Sequence, residues 1–200
     1  MLTFNEELHV YRWNGLVVPS VTTIIASLYD FSFVSEVDME KACRRGSEVH
    51  RACELYDQGT LNEDGMHLWA WIEYFNAYKR FRTETGFVPE VNEQCIYHPQ
   101  LKYAGTLDLR GLLNGRPSII DIKTTASLSP AIGVQLAGYE QGVVSDADYK
   151  GENKYQRFAL QLRADGTYRL QPYTDQTDWS VFVGLLNAYN WKRKHSILKG

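Results

Sequence analysis

The sequence has little cysteine and no long apolar run. Its 200 residues include three cysteines, Cys43, Cys53 and Cys95, which are too few and too scattered for a disulfide framework or a CxxC metal site. No apolar stretch approaches the ~20 residues of a membrane span. The first residues, MLTFNEELHV, lack the basic and apolar regions of a signal peptide. We therefore expect no membrane partner and a reducing, cytoplasmic location.

An excess of positive charge is also missing. The 21 basic and 24 acidic residues give a net charge of −3. This charge argues against attraction to nucleic acid over the whole surface but leaves room for a local basic groove. No repeat, low-complexity segment or linker rich in Pro, Gly and Ser divides the chain, so we expect one domain over residues 1–200.

The first half of the chain has mainly helical patterns. The segment HVYRWNGLVVPSV predicts a hairpin with its turn at Asn14-Gly15, and Ser20 is a suitable N-cap for a short helix. The segments EVDMEKACRRGSEVHRACELYDQG and MHLWAWIEYFNAYKRFRTETG predict two longer helices that end near Gly59 and Gly86.

The second half changes to the alternating pattern of strands. The segments FVPEVNEQCIYHP, YAGTLDLRGLLN and RPSIIDIKTT predict three strands, the last two joined at Asn114-Gly115. A helix is predicted in SPAIGVQLAGYEQGVVS, followed by a hairpin at Asp165-Gly166 and a final helix from about residue 175 to residue 194. The expected fold class is α/β, with a mixed central sheet flanked by helices.

Charged residues interrupt two of these predicted strands. Residues two apart on a strand share a face, so Asp121 and Lys123 are expected to point the same way. The same rule divides the preceding strand into two sets: Thr106, Asp108 and Arg110 on one face, and Leu107 and Leu109 on the other.

The turn between these strands can bring Asp108 close to Asp121. Two close carboxylates repel unless a proton or a cation lies between them, and oxygen ligands suit Mg²⁺ or Mn²⁺. A lysine beside such a site, here Lys123, can hold an attacking water or a developing negative charge, as in metal-assisted phosphodiester hydrolysis. The alternative is a buried Asp–Lys ion pair on a half-exposed sheet, because an isolated D-x-K triplet is common.

Four short motifs occur in order around these residues: G-x-x-x-H in RGSEVH, G-T-x-D in GTLD, D-x-K in DIK and Q-x-x-x-Y in QLAGY. Their order resembles the RecB-like exonuclease branch of the PD-(D/E)XK nuclease superfamily, and VPSVTTII is similar to a segment of mitochondrial genome maintenance and phage exonucleases. The resemblance implies a restriction-endonuclease-like αβββαβ core over residues 36–175. An N-terminal hairpin and short helix over residues 1–35 would precede it, and a C-terminal helix with a basic tail over residues 176–200 would follow.

The resemblance also implies roles for individual residues. Asp108, Asp121 and His50 would bind Mg²⁺ or Mn²⁺. The backbone carbonyl of Ile122 would complete the protein ligands, and Lys123 would orient the nucleophilic water. The alternative for His50 is a surface histidine held by a hydrogen bond.

Further residues are expected to support the site. Gln135 and Tyr139 lie one helical turn apart and would contact the DNA backbone or support Lys123, with a polar edge and a packed aromatic as the alternative. Glu93 would contact the metal through water or be a solvated strand residue, and we favour the second interpretation. Gly105 would let backbone or substrate come close.

Basic residues are the candidates for phosphate contacts. These are Arg44, Arg45, Lys102, Arg110 and the terminal segment WKRKHSILKG. Thr124, directly after the D-x-K triplet, is counted with the supporting residues.

Other cofactors are not expected. Relatives with an iron–sulfur cluster use four cysteines, three of them after the Q-x-x-x-Y helix, whereas this chain has none after Cys95. It also lacks the GxxxxGK[ST] motif of a nucleotide site, so any helicase or recombination partner would be a separate chain.

The sequence as a whole predicts a metal-dependent DNA exonuclease acting on single- or double-stranded ends. The resemblance suggests phage or prophage recombination, repair or DNA degradation, in a bacterial or phage-infected cell. The alternatives are a structure-selective or site-specific endonuclease and a non-catalytic DNA-binding module with a nuclease fold.

Overall fold

Two β-sheets and five α-helices make up the part of the chain that the structure, a computed structural model, describes: residues 1–146, 149 and 154–197. The smaller, N-terminal sheet is antiparallel, in the order β1 (Leu2–Asn5), β2 (Val10–Trp13) and β3 (Leu16–Val18). Its β2–β3 turn is at Asn14-Gly15 as predicted, and both residues have the positive φ, 48° and 81°, that such turns need. Strand β1 adds to the predicted hairpin.

Three helices follow the small sheet. Helix α1 (Val21–Ile25) is capped as predicted, because the Oγ of Ser20 accepts the N–H of Thr23 at 3.0 Å. Helix α2 (Glu36–Asp57) ends near the predicted position, and α3 (Ile72–Thr85) ends at Gly86 in the left-handed conformation.

The start predicted for α3 is wrong. Met66–Leu68 forms a separate 3₁₀ turn, and the backbone is extended at Trp69 before the helix begins at Ile72. The indole N–H of Trp69 donates to Glu48 on α2 at 3.0 Å, so this segment packs across α2 instead of continuing α3 towards its N-terminus.

The larger, central sheet has five strands in sequential order. They are β4 (Val88–His98), β5 (Tyr103–Leu113), β6 (Arg116–Lys123), β7 (Gln156–Leu162) and β8 (Tyr168–Pro172). All neighbours are antiparallel except β6 and β7, which are parallel and are connected through α4 (Ala131–Val144). The predicted mixed sheet and the order of helix, three strands, helix and strand are thus confirmed. Helix α5 (Asp178–Lys194) closes the described chain.

Helices cover both faces of the central sheet. Helices α1, α4 and α5 pack on one face, where Leu136 and Phe182 meet Ile119. Helices α2 and α3 pack on the other, where Phe75 contributes to the same buried cluster as Ile120. None of the helices in the described ranges is long and apolar enough to cross a bilayer.

The side-chain alternation of β5 changes phase in its middle. Leu107 packs with the α4 cluster and Leu109 with the α2–α3 cluster, so the prediction that they share a face is wrong. The change occurs at Asp108, which lies opposite Glu93 of β4 between the paired residues on either side. Glu93 has a φ of 48°, a left-handed conformation that is rare for a residue other than glycine.

The small sheet packs beside the end of β4 and the start of β5. Trp13 stacks on Tyr97 with ring centroids 4.1 Å apart, and the hydroxyl oxygens of Tyr11 and Thr106 lie 2.8 Å apart. Because Thr106 is two residues before Asp108, the N-terminal strands lie close to the point where β5 changes phase.

Candidate active site

Strand β6 presents a carboxylate, Asp121, and an ammonium group, Lys123, on the face covered by α4. Its alternation is regular, since Ile120 and Ile122 enter the core against α2 and α3. Asp121 is 2% exposed, and its Oδ2 lies 2.7 Å from the Nζ of Lys123. The amide of Gln135 on α4 donates to the other oxygen, Oδ1, at 2.8 Å. Both carboxylate oxygens of Asp121 are therefore held in place.

Burial and charge set the protonation of this pair. Burial raises the pKa of Asp121 to about 6; the ammonium of Lys123 opposes this shift, and the charge of Asp108 adds to it. For Lys123, burial lowers the pKa, but the carboxylates of Asp121 and Asp108 outweigh burial and raise it above its ordinary value. Lys123 is therefore a cation at neutral pH.

A second group of ligand atoms gathers on the other side of the Ile122 peptide. The Nδ1 of His50, on α2, lies 3.5 Å from Oε1 of Glu93 and 3.6 Å from Oδ1 of Asp108. The ligand atoms of these three residues all lie within 4.8 Å of one another. Burial opposes protonation of His50, but the two carboxylates outweigh burial and raise its pKa to about 9.

The backbone N–H and carbonyl of Ile122 orient two of these side chains. The N–H donates to Oδ2 of Asp108 at 2.6 Å, and the carbonyl oxygen lies 3.1 Å from Nε2 of His50. Because a carbonyl oxygen can only accept, Nε2 of His50 carries a hydrogen. In neutral His50 the lone pair is then on Nδ1, the atom that faces the carboxylates. The Ile122 carbonyl has a second lone pair for a further contact.

The donor set fits a divalent cation. Two carboxylates and an imidazole nitrogen converge, and close carboxylates need a proton or a cation between them. In the metal-free protein the His50 proton supplies that charge, so a metal would take its place. The Oδ2 of Asp121 is buried and is held by the ammonium of Lys123 at 2.7 Å. Such a mainly oxygen set is suited to Mg²⁺ or Mn²⁺.

The predicted helper residues of α4 lie against Asp121. The amide of Gln135 donates to the Tyr139 hydroxyl at 3.2 Å as well as to Asp121. Burial raises the pKa of Tyr139. A Cβ on Gly105 would come within 2.8 Å of the Tyr139 ring, so the group that comes close to Gly105 is this side chain, whereas the sequence predicted backbone or substrate there.

Of the two neighbouring arginines predicted to contact phosphate, Arg45 is anchored beside the site and Arg44 is not. The Nε of Arg45 donates to Oγ1 of Thr124 at 3.2 Å, and its guanidinium lies 5.4 Å from the centroid of the Tyr74 ring. Arg44 is exposed and makes a loose ion pair with Glu48, with Nε 3.9 Å from Oε1. The guanidinium of Arg45 thus places a fixed positive charge beside Thr124, the residue that follows Lys123.

The remaining basic candidates lie elsewhere on the structure. The Nε of Arg110 lies 3.9 Å from Oε2 of Glu90, and Lys102 is exposed in the β4–β5 turn. The basic end of α5, Lys192 to Lys194, is exposed. Residues 198–200 of the predicted basic tail lie outside the described residues.

The position of Glu93 differs from the one favoured on the sequence. We favoured a solvated strand position, whereas its carboxylate lies 3.5 Å from His50. Counting back from the β4–β5 turn would have found it, because that count places Glu93 opposite Asp108.

Comparisons with known proteins find distant structural neighbours, two of which are described here. No family model matches the chain, and no curated protein matches it. A crystal structure of an alkaline exonuclease (LHK-Exo) from Laribacter hongkongensis is 20% identical, with a TM-score of 0.29, over 62% of this chain and 70% of that chain. The structure of LHK-Exo in complex with dAMP is 19% identical, with a TM-score of 0.32, over 91% and 95% of the two chains. Because both TM-scores lie below 0.5, conclusions about this chain come from its own geometry.

Proposed function

We propose that this chain is a nuclease that hydrolyses DNA phosphodiester bonds with Mg²⁺ or Mn²⁺ and acts from strand ends, as one domain whose nuclease core spans residues 36–175. The observation that carries the proposal is the Lys123 ammonium held 2.7 Å from Asp121, one residue from the peptide that orients Asp108 and His50. The order of the four sequence motifs, which resembles that of RecB-like exonucleases, supports it.

The metal would be held by His50, Glu93 and Asp108, with Asp121 across the Ile122 peptide. When bound, the ion supplies a Lewis acid for a phosphoryl oxygen and lowers the pKa of a bound water. A non-catalytic module that merely kept the fold would have no use for two buried or half-buried carboxylates around one histidine, because close carboxylates repel and destabilise a folded chain unless a proton or a cation lies between them.

The protein's own side chains would orient the attacking water and neutralise the negative charge of the phosphate. Lys123 places a fixed cation where an attacking water binds and where negative charge develops on the phosphate. Gln135 keeps Asp121 in the orientation that holds Lys123. Arg45, anchored on Thr124, adds a second cation for the DNA backbone.

The preference for ends rests on the resemblance and on the position of the N-terminal sheet. Tyr11 contacts Thr106, two residues before Asp108, and we propose that the strands of residues 1–18 limit access to a DNA strand that arrives by its end. An endonuclease requires an open groove instead.

Labelled DNA separates these possibilities. Purified protein is incubated with linear and covalently closed circular DNA, single- and double-stranded, with Mg²⁺, Mn²⁺ or EDTA. We expect metal-dependent degradation of linear DNA, sparing of circles, and loss of cleavage by Asp121→Asn but not by Lys79→Ala, a control on α3 whose ammonium pairs with Glu63 at 2.8 Å. Fragmentation of circles supports the endonuclease alternative, and no cleavage with either metal supports the binding module.

A further inference from the structure

A cleft of about 590 Å³ lies beside β6, the strand of Asp121 and Lys123, and outside the candidate active site. It is formed by the β7–β8 hairpin and the loop that leads from β6 to α4. We call it the hairpin cleft; its polar lining includes Ser127, Gln161, Arg163, Arg169, Gln171 and Tyr173. Its volume is in the range of about 300–1,000 Å³ that small-molecule sites occupy.

The hairpin cleft begins one strand away from Lys123. Gln161 is the partner of Lys123 in the parallel β6–β7 ladder, so their backbones are about 5 Å apart and their side chains share a face. The Gln161 amide donates to the carbonyls of Thr125 and Ala126, each at 2.9 Å. These bonds fasten the loop after Lys123 to the wall of the cleft.

Two arginines give the cleft its positive charge. An Nη2 of Arg163 donates to Oε1 of Gln161 at 3.3 Å, and Arg169 donates to the amide oxygen of Gln171. Both partners are neutral amides, so these bonds orient the guanidinium groups without cancelling their charge. Both arginines are exposed and free to accept an anion.

The acids that border the cleft have partners of their own. The Oδ1 of Asp175 accepts the N–H and the hydroxyl of Thr177 at 2.8 and 2.7 Å. The Oδ2 of Asp178 lies 3.1 Å from Arg157. These carboxylates belong to the wall and to the start of α5.

A third acid, Asp165 in the β7–β8 turn, accepts hydrogen bonds from the N–H and hydroxyl of Thr167, and these bonds together with the charge of Arg163 lower its pKa. Asp165 and Arg163 are both exposed, so their attraction is weak and leaves Arg163 able to bind a phosphate.

We infer that Arg163 and Arg169 bind a phosphate group of the DNA strand next to the bond that is cut, which extends the contact between enzyme and strand beyond the metal centre. This inference rests on the proposed nuclease function, because it takes its ligand from that substrate. The phosphate can be an internal phosphodiester or a terminal phosphate, and the two share the same charge chemistry.

Neutral linkages locate this contact without cleavage. Single-stranded oligonucleotides that carry one uncharged methylphosphonate at successive positions, and a pair with and without a terminal phosphate, are titrated in EDTA and followed by fluorescence anisotropy. For wild-type protein we expect one position, or the terminal phosphate, to weaken binding about tenfold. The Arg163→Ala/Arg169→Ala double variant should bind unmodified DNA that much more weakly and ignore the neutral linkage at that position.

The salt dependence and a matched control complete the test. The slope of log K against log salt should fall by about 0.7 for each phosphate contact that the double variant loses. Arg116→Ala, which removes an exposed charge at the β5–β6 turn, should keep the position-specific effect. A double variant that shows the same position dependence as wild type overturns the inference. If the protein hydrolyses DNA but its binding shows no position dependence, the phosphate contact at the hairpin cleft is refuted and the proposed nuclease function stands. If binding is position-dependent but no hydrolysis occurs, the nuclease function is refuted and the phosphate contact stands.

Discussion

The Ile122 peptide determines the direction of two candidate ligands at once. Its N–H fixes Asp108, and its carbonyl fixes the tautomer of His50. Because the backbone of one residue holds both, the candidate ligand atoms are oriented without a metal, and binding an ion would need little reorganisation. The third member, Glu93, gains its position from a left-handed backbone at the point where β4 faces Asp108.

Glu93 can be tested against a neighbour on the same strand. Glu93→Gln should lower Mn²⁺ affinity by about 10–100-fold, the range found when groups that orient or complete a metal site are removed. Glu90→Gln is the matched control, because Glu90 is half exposed and makes only a 3.9 Å ion pair with Arg110. Isothermal titration with Mn²⁺ gives both affinities, and equal affinities in the two variants would remove Glu93 from the site.

The metal-free protein should lose stability as the pH rises from about 6.5 to about 9. The folded-state pKa of His50 is raised from 6.5 to about 9, so its stabilising charge is fully present below 6.5 and is lost on passing through 9. The loss should be roughly 1–3 kcal/mol in unfolding free energy. The folded-state pKa of Asp121 is raised from 3.8 to about 6. Its effect on the unfolding free energy therefore changes only below about pH 6, before this window begins.

Chemical denaturation in EDTA between pH 6.5 and 9 measures this loss. Mn²⁺-saturated protein and His50→Ala should both lack it, because neither carries the His50 proton. A wild-type curve that is flat over this window, or rises, contradicts the charge assignment of His50.

Two glycines test how closely the elements around the site are packed. A Cβ on Gly46, one turn before His50 on α2, would meet nothing within 4 Å, whereas a Cβ on Gly105 of β5 would lie 2.8 Å from the Tyr139 ring. Gly46→Ala should therefore stabilise the fold by about 0.5–1 kcal/mol through helix propensity. Gly105→Ala should destabilise it by about 1–3 kcal/mol through overpacking.

Thermal unfolding of both variants checks these signs. If Gly46 also gives DNA room to approach α2, Gly46→Ala should weaken DNA binding while it stabilises the protein. A destabilised Gly46→Ala variant contradicts the open environment of this helix face.

Local signals in the sequence were sufficient for most elements. The Asn-Gly pairs specify hairpin turns, Ser20 caps α1, and the regular alternation of β6 places Asp121 and Lys123 on one face. Other features depend on tertiary contacts. Nothing local marks a glutamate that will adopt a positive φ, so the phase change at Glu93 and Asp108 was not predictable. The late start of α3 follows from the contact between Trp69 and Glu48, which a sequence pattern does not show.

Over the whole molecule, α4 is the element that joins the site to the core. Most of its residues are buried between the sheet and helices α1 and α5. Arg157 of β7 adds to this attachment, because it donates to the carbonyls of Gly133 at 3.1 Å and Asp175 at 2.7 Å. Gln135, whose amide also donates to Tyr139, therefore holds Asp121 from a buried helix.

The measurement that tests the central claim most directly is the single-turnover rate of hydrolysis of linear DNA at saturating Mn²⁺, compared between Lys123→Ala and Lys79→Ala. Both variants lose one lysine that pairs with an acid, but only the first loses the cation held by Asp121. We predict that Lys123→Ala retains Mn²⁺ binding and loses about 10²–10³-fold in rate, the size of effect expected for one group that stabilises developing charge. Lys79→Ala should match wild type. Equal rates for the two variants would contradict the assignment of Lys123 and with it the catalytic role of this site.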